Sequence, residues 1–232
     1  MLRDDEARLR AAFPRLPEFE AAEWATQSLA VVIHRAGASG WASQQGHDRQ
    51  RAIVMLAVRQ LRASRAGMAV HAVGWEVEAR ALDRLVIESR ARLWQVRLDL
   101  THATGRLWLE GKLKGEIGAA VRASWIGVEN DRARSLYRAL SQDSHADPGG
   151  IMRSLTTVDD DLAAEIQWGP GRTVASRQSL ALLAAFAAET ATLLADESGV
   201  EHPDPKRLAA RVDRAVATAG QAAQEAALKR LQ

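Results

Sequence analysis

Between Val70 and Leu100 the apolar residues Val70, Val73, Val77, Leu82, Leu85, Leu93, Val96 and Leu100 recur mostly at steps of three and four. That spacing returns a side chain to the same side of an α-helix and gives one apolar face held over several turns. A half-buried strand would alternate at every second residue, and this stretch does not. The remaining composition agrees: Ala, Arg and Leu dominate, and all are strong helix formers. Blocks rich in Val, Ile, Thr and Tyr, which would read as strands, are scarce. A chain of 232 residues would bury roughly 70% of its unfolded surface as one domain, enough for a core without staples. The expectation is an all-α fold: a single-domain helical bundle of about six to eight helices spanning residues 1–232. Within it, N-terminal helices occupy 1–66, a core 68–200 and a C-terminal helix 203–231.

Start and stop signals divide the chain further. A short helix is predicted from Leu2 to the residues before Phe13-Pro14, because a residue preceding proline avoids α geometry. The next runs from about Pro17 to Arg35, with Pro17 suited to a first-turn position, and Gly37-Ala38-Ser39-Gly40 breaks it. A third covers roughly His47 to Arg65. The periodic segment then reads as one long helix from Met68 to Ala103, which Gly105 ends or bends, and another helix follows to about Ile126. Asn130 is suited to an N-cap, with Asp131 just inside a helix that closes at His145-Ala146-Asp147-Pro148-Gly149-Gly150. Residues 151–172 are the least regular, and Thr157 before Asp159-Asp160-Asp161 suits the cap of a short helix. Two long helices close the chain, about Thr173 to Glu197 and Pro203 to Leu231, separated by Ser198-Gly199.

Several classes of chemistry are excluded. The chain has no cysteine, so disulfides, thiolate catalysis and cysteine-based zinc sites are out. Charge from Arg3 onward does not fit a signal peptide. The longest charge-free apolar stretch, Gln178 to Ala188, is shorter than the ~20 residues of a membrane span; a cytoplasmic protein without membrane association is expected. No Glu-x-x-His pair supports a di-iron bundle, and no phosphate-loop or zinc-helix motif occurs. Gly169-Pro170-Gly171-Arg172 reads as a turn. Asp159-Asp160-Asp161 would splay around a helix and suits its N-terminus better than an ion. The spacing of His34, His47, His71, His102 and His202 suggests no metal, and Trp75, Trp94 and Trp108 read as core fillers. No metal or cofactor is expected. Net charge is only +2 from 31 basic and 29 acidic residues, which implies no general polyanion surface. Lysine occurs only at 112, 114, 206 and 229, so arginine supplies nearly all the positive charge.

One stretch, Asn130 to His145, carries a pattern with chemical content. At about 100° per residue, the seven-residue step from Arg138 to His145 falls within about 20° of two full turns. Arg134, Arg138, Ser141 and His145 form a polar stripe; Ala133, Leu136, Tyr137, Leu140 and Ser144 form a more apolar one beside it. Tyr137-Arg138-x-Leu140-Ser141 followed by His145 resembles the signature of a bacterial helical family related to the HEPN superfamily (higher eukaryotes and prokaryotes nucleotide-binding). Glu78-Ala79-x-x-Leu82-x-Arg84-Leu85-x-x-Glu88 is similar to that family's Arg-x-x-x-Glu helix, and Gly169-Pro170 with two closing helices extends the likeness over roughly 70–200.

The resemblance implies a metal-independent ribonuclease or nucleotide-binding protein of toxin or defence type, acting as a homodimer on RNA. Arg138 and His145 would be catalytic; Arg134, Tyr137, Ser141, Arg84 and Glu88 would bind or position. Ala139 departs from the family's usual polar residue after the arginine, and the six-residue gap to His145 is the longest the family's pattern allows. The alternative is a non-catalytic helical binding or regulatory module. There His145 would interact with a helix C-terminus, and Arg138 would pair with Glu88.

Overall fold

The computed structural model describes residues 16–43, 47–72, 76–114, 155–158, 163–166 and 174–229. Six helices account for nearly all of them: α1 Pro17–Ala38, α2 Asp48–Ala72, α3 Glu76–Leu98, α4 Ala103–Leu109, α5 Val174–Ser198 and α6 Pro205–Lys229. The fold is an all-α bundle. Among the described residues the one departure is a short antiparallel strand pair, β1 Leu155–Val158 and β2 Ala163–Ile166, with Leu155 opposite Ile166 and Thr157 opposite Ala164. Thr157 therefore lies within a strand rather than capping a helix; Leu-Thr-Thr-Val is one of the few β-prone runs in the chain.

Helix α5 is the centre. It packs against α1, α2, α3 and α6, and Leu180, Leu183, Ala184, Ala187, Ala191 and Leu194 are all but fully buried. A helix apolar around most of its circumference requires neighbours on every side. The stretch Ser176–Ser198 is long and apolar enough to cross a membrane by length and composition, but 61% of its apolar window is buried inside the fold. The charge-free stretch from Gln178 to Ala188 understated this span, because the isolated charge of Glu189 does not end the apolar run. Opposite α5, α1 presents Ala21, Ala22, Ala25, Leu29, Val32 and Ala36. Alanine on both helices permits the close end of the usual 8–10 Å interaxial range.

Ion pairs and contacts between helices fix their directions. Glu18 at the start of α1 meets Arg177 at the start of α5, so α1 and α5 run parallel. Arg90 and Arg97 meet Glu189 and Glu197 in the same order, so α3 also runs parallel to α5. In α2, Gly67 lies against Leu82 and Asp83 while Arg49 reaches the Arg97 carbonyl, making α2 antiparallel to α3. Arg211 of α6 pairs with Glu20 and Arg207 stacks over Trp24, so α6 returns antiparallel along α1.

Helix ends follow local chemistry. Pro17 opens α1, as its fixed φ suits a first-turn position. Asp204 caps α6 by accepting the Arg207 N–H at 3.2 Å, so that helix begins at Pro205 rather than Pro203. Gly199, with φ +68°, supplies the left-handed residue that follows α5. The periodic segment is not one helix: α2 continues to Ala72 and α3 begins at Glu76, with Gly74 between them in sequence. The three-and-four spacing carries across from one helix to the next in sequence, while burial does not follow it throughout: Leu93 and Val96 are fully buried and Leu100 is 87% exposed.

Gly105 is neither a stop nor a bend. It lies buried inside α4, and a Cβ there would come 2.8 Å from the Arg49 Cα. Helix α4 ends at Leu109, short of the expected Ile126: the Lys112 N–H reaches Leu107 O at 2.8 Å and the Gly111 N–H reaches Trp108 O at 3.0 Å. With Gly111 at φ +67°, this is a Schellman closure. In the turn before α4, Thr101 and the Thr104 N–H bind Asp99. The Thr101 hydroxyl, followed by the Thr104 backbone N–H, holds that carboxyl well below the ordinary range. The expected helix over Leu2–Phe13 lies outside the described residues.

Gly105→Ala should lower thermal stability despite alanine's better helix propensity, by about 1–3 kcal/mol as overpacked sites do. A melting curve that rises or stays level would show that α4 is not held by this close approach.

Candidate functional site

Of the residues singled out in sequence, Arg134, Tyr137, Arg138, Ser141 and His145 lie outside the described residues. Arg84 and Glu88 lie on α3, one turn apart, with Arg84 Nε donating to Glu88 Oε1 at 2.9 Å. Both side chains are about one-fifth exposed, so the pair is held at the edge of the bundle. Ala79, on the neighbouring side, is fully buried. The Glu78–Glu88 segment is thus one helix that presents an Arg–Glu pair and buries an apolar face.

The same helix carries a denser polar assembly towards its C-terminus. Arg90 binds Glu189 through two nitrogens, Nε to Oε2 at 2.6 Å and Nη2 to Oε1 at 2.8 Å. The indole N–H of Trp94 adds a third bond to the same carboxylate at 3.1 Å. Arg90 lies 4.7 Å over the Phe186 ring and Arg97 4.9 Å over Trp94, where cation–π attraction adds to the ion pairs. Glu197 accepts from Arg97 Nε at 3.0 Å and from both terminal nitrogens of Arg49, at 3.0 and 3.2 Å. Partial burial works to raise the Glu197 pKa. Hydrogen bonds from Arg49 and Arg97, with their charges, outweigh it and hold the carboxyl below its ordinary value. The planar guanidinium fork suits such two-point binding. These groups join α2, α3 and α5 and engage one another fully. Trp94 and Trp108 pack partly buried against the core, as expected of core fillers.

A second buried polar pair joins α2 and α3. His71 Nε2 lies 3.3 Å from Asp83 Oδ2, with both side chains essentially inaccessible. An ionised carboxylate only accepts, and opposite one the imidazole proton would sit on Nε2. Among the described residues, His71 Nδ1, Asp83 Oδ1 and, two turns earlier on α2, Ser64 Oγ are buried without a hydrogen-bond partner. An aspartate that fixes an imidazole's tautomer is a familiar half of acid–base sites. Proton transfer to a substrate needs reach, however, and this pair is sealed inside the core. Its role is to join two helices. Histidine spacing alone gives no sign of this pair; the signal in the sequence is a carboxylate at the buried spacing of Ala79, Asp83, Val86, Ile87 and Arg90. Among the described residues no group of three or more His, Asp or Glu is arranged to hold a metal ion.

The Glu197 cluster makes a pH prediction. A carboxyl whose folded pKa lies below its unfolded value contributes stability above the ordinary carboxylate pKa and loses it as pH falls through the folded value. Glu197→Gln should therefore melt below wild type near neutral pH, and the gap should narrow as pH drops below about 4.5, the ordinary glutamate range. A gap that does not change with pH would exclude this linkage. Compared with known proteins, the chain matches no family model, no curated protein and no solved structure.

Proposed function

We propose that the protein is a metal-independent RNA-cleaving or nucleotide-binding effector of HEPN type, in which Arg138 and His145 carry the chemistry at a homodimer cleft. The observation that carries this reading is the sequence stripe Arg134, Arg138, Ser141 and His145, one face of the helix predicted over residues 130–145. The all-α architecture and the Arg84–Glu88 pair on α3 are compatible with it. In the reaction, His145 takes the proton of an RNA 2′-hydroxyl or protonates the leaving 5′-oxygen. The 2′-oxygen attacks the adjacent phosphorus, the bond to the 5′-oxygen breaks, and a 2′,3′-cyclic phosphate forms. Histidine suits both directions because it titrates near neutral pH. Arg138 offers its fork to the phosphoryl oxygens as charge develops.

A second reading is a non-catalytic helical module in which Arg138 and His145 are structural. It is favoured by the way this fold uses Arg90, Arg97, Glu189, Glu197, His71 and Asp83: all join helices.

The two readings separate in one assay. Wild-type protein incubated with RNA in excess EDTA should generate cyclic-phosphate ends. His145→Ala should reduce the rate by at least the ~10²-fold typical of a positioned acid–base group, and Arg138→Ala by the ~10²-fold typical of a lost charge-stabilising donor, both while melting like wild type. Intact RNA with all three proteins, and both variants melting several degrees lower, would establish the structural module instead.

A further inference from the structure

Most arginines described in this fold are engaged. Arg49, Arg90, Arg97 and Arg177 bind carboxylates on α1 or α5, and Arg207 and Arg211 lie over Trp24. The outer face of α2 departs from this pattern. Arg59, Arg62 and Arg65 are all exposed, and among the described residues no carboxylate lies within ion-pair distance of any of them. The one acid in α2 is Asp48, which pairs with Arg51. The opposite face of the same helix is fixed in the core through Gln60, Ala63, Ser64 and Gly67, so the arginines cannot turn inward. At steps of three residues they spread over about 120° of the helix and about 9 Å of its axis.

We propose that this face of α2 grips the phosphate backbone of single-stranded RNA. Like charges one turn apart disfavour the bare helix, and a polyanion relieves that repulsion by binding each guanidinium. Each phosphate presents oxygens to the two-pronged fork. Contacts of this kind read no bases and hold many sequences alike. Met55, 53% exposed one turn before Arg59, extends the face with apolar surface. The inference rests on the RNA reading for its polyanion, but it concerns binding and not cleavage.

The probe is a fluorescent single-stranded 2′-O-methyl oligoribonucleotide, which cannot undergo attack by its own 2′-oxygen. Binding to the full chain is followed by anisotropy at salt from about 50 to 200 mM. With a slope of roughly 0.7 per phosphate neutralised on a single strand, three contacts weaken binding about 18-fold over that fourfold rise. R59Q/R62Q/R65Q should lose this share of the salt dependence. R59K/R62K/R65K should keep it, because charge is retained, and R106Q/R214Q should behave as wild type. The inference is overturned if the triple glutamine variant keeps the wild-type salt dependence. It is also overturned if wild type does not bind the oligonucleotide, or if these arginines drive binding only to phosphatidylserine vesicles. Cleavage of unmodified RNA is scored separately. Arginine-dependent binding without cleavage sustains the grip and removes the nuclease reading; cleavage with an unaltered salt dependence does the reverse.

Discussion

The burial of α5 governs the arrangement of the other helices. Leu180, Ala181, Leu183, Phe186 and Leu193 lie on different sides of it and are all buried. Burying a leucine contributes roughly 1.5–3 kcal/mol, whereas a partly exposed ion pair contributes about 0–1 kcal/mol. The apolar surface of α5 therefore supplies the driving force, and α1, α2, α3 and α6 gather round it. Apolar burial has little directionality, however, and alanine-rich faces can slide. The polar groups embedded in α5 remove that freedom. Glu189 accepts Arg90 and Trp94, Thr190 bonds to Gln60, and Glu197 accepts Arg49 and Arg97. Displacing α3 by one turn would separate Arg90 from Glu189 and Arg97 from Glu197 together. Such a slide would leave several charged and hydrogen-bonding groups without partners at once, so these contacts select the register even where each adds little net stability.

Positions whose cause lies within a few residues were legible in sequence. Pro17 fixes the start of α1, Ser198-Gly199 marks the end of α5, and Arg84–Glu88 is a one-turn pair visible from its spacing alone. Positions whose cause is tertiary were not. The division between α2 and α3 is obscured because two helices facing one core share an apolar rhythm. Gly105 resembles a breaker until Arg49 is known to pass against it. The early end of α4 depends on Gly111 reaching a left-handed φ, which a glycine in sequence permits but does not demand. His71–Asp83 needs the α2–α3 hairpin before its members meet. The candidate catalytic stripe rests on spacing within residues 130–145, which lie outside the described residues, and so it stands on sequence.

Arginine is the thread connecting structure and proposed function. A biased coding composition would scatter it without regard to geometry, yet Arg90 on α3 and Arg49 at the start of α2 sit where a fork is required. Arg90 uses two nitrogens on one carboxylate while its plane covers Phe186. Arg49 divides its nitrogens between Glu197 and a backbone carbonyl. Lysine, a point charge on a flexible stem, could not reproduce either contact. These positions have a structural cause complete within the fold. Arg59, Arg62 and Arg65 have none, since their helix is already anchored by its other face and carries no acid beside them. Charge that the described residues neither neutralise nor use is available to a partner, and the small net charge of the chain makes its concentration on one turn-and-a-half of α2 more telling than an overall excess would be. Under the proposed nuclease reading, such a surface would supply affinity through backbone contacts and leave the Arg138–His145 pair to the transition state.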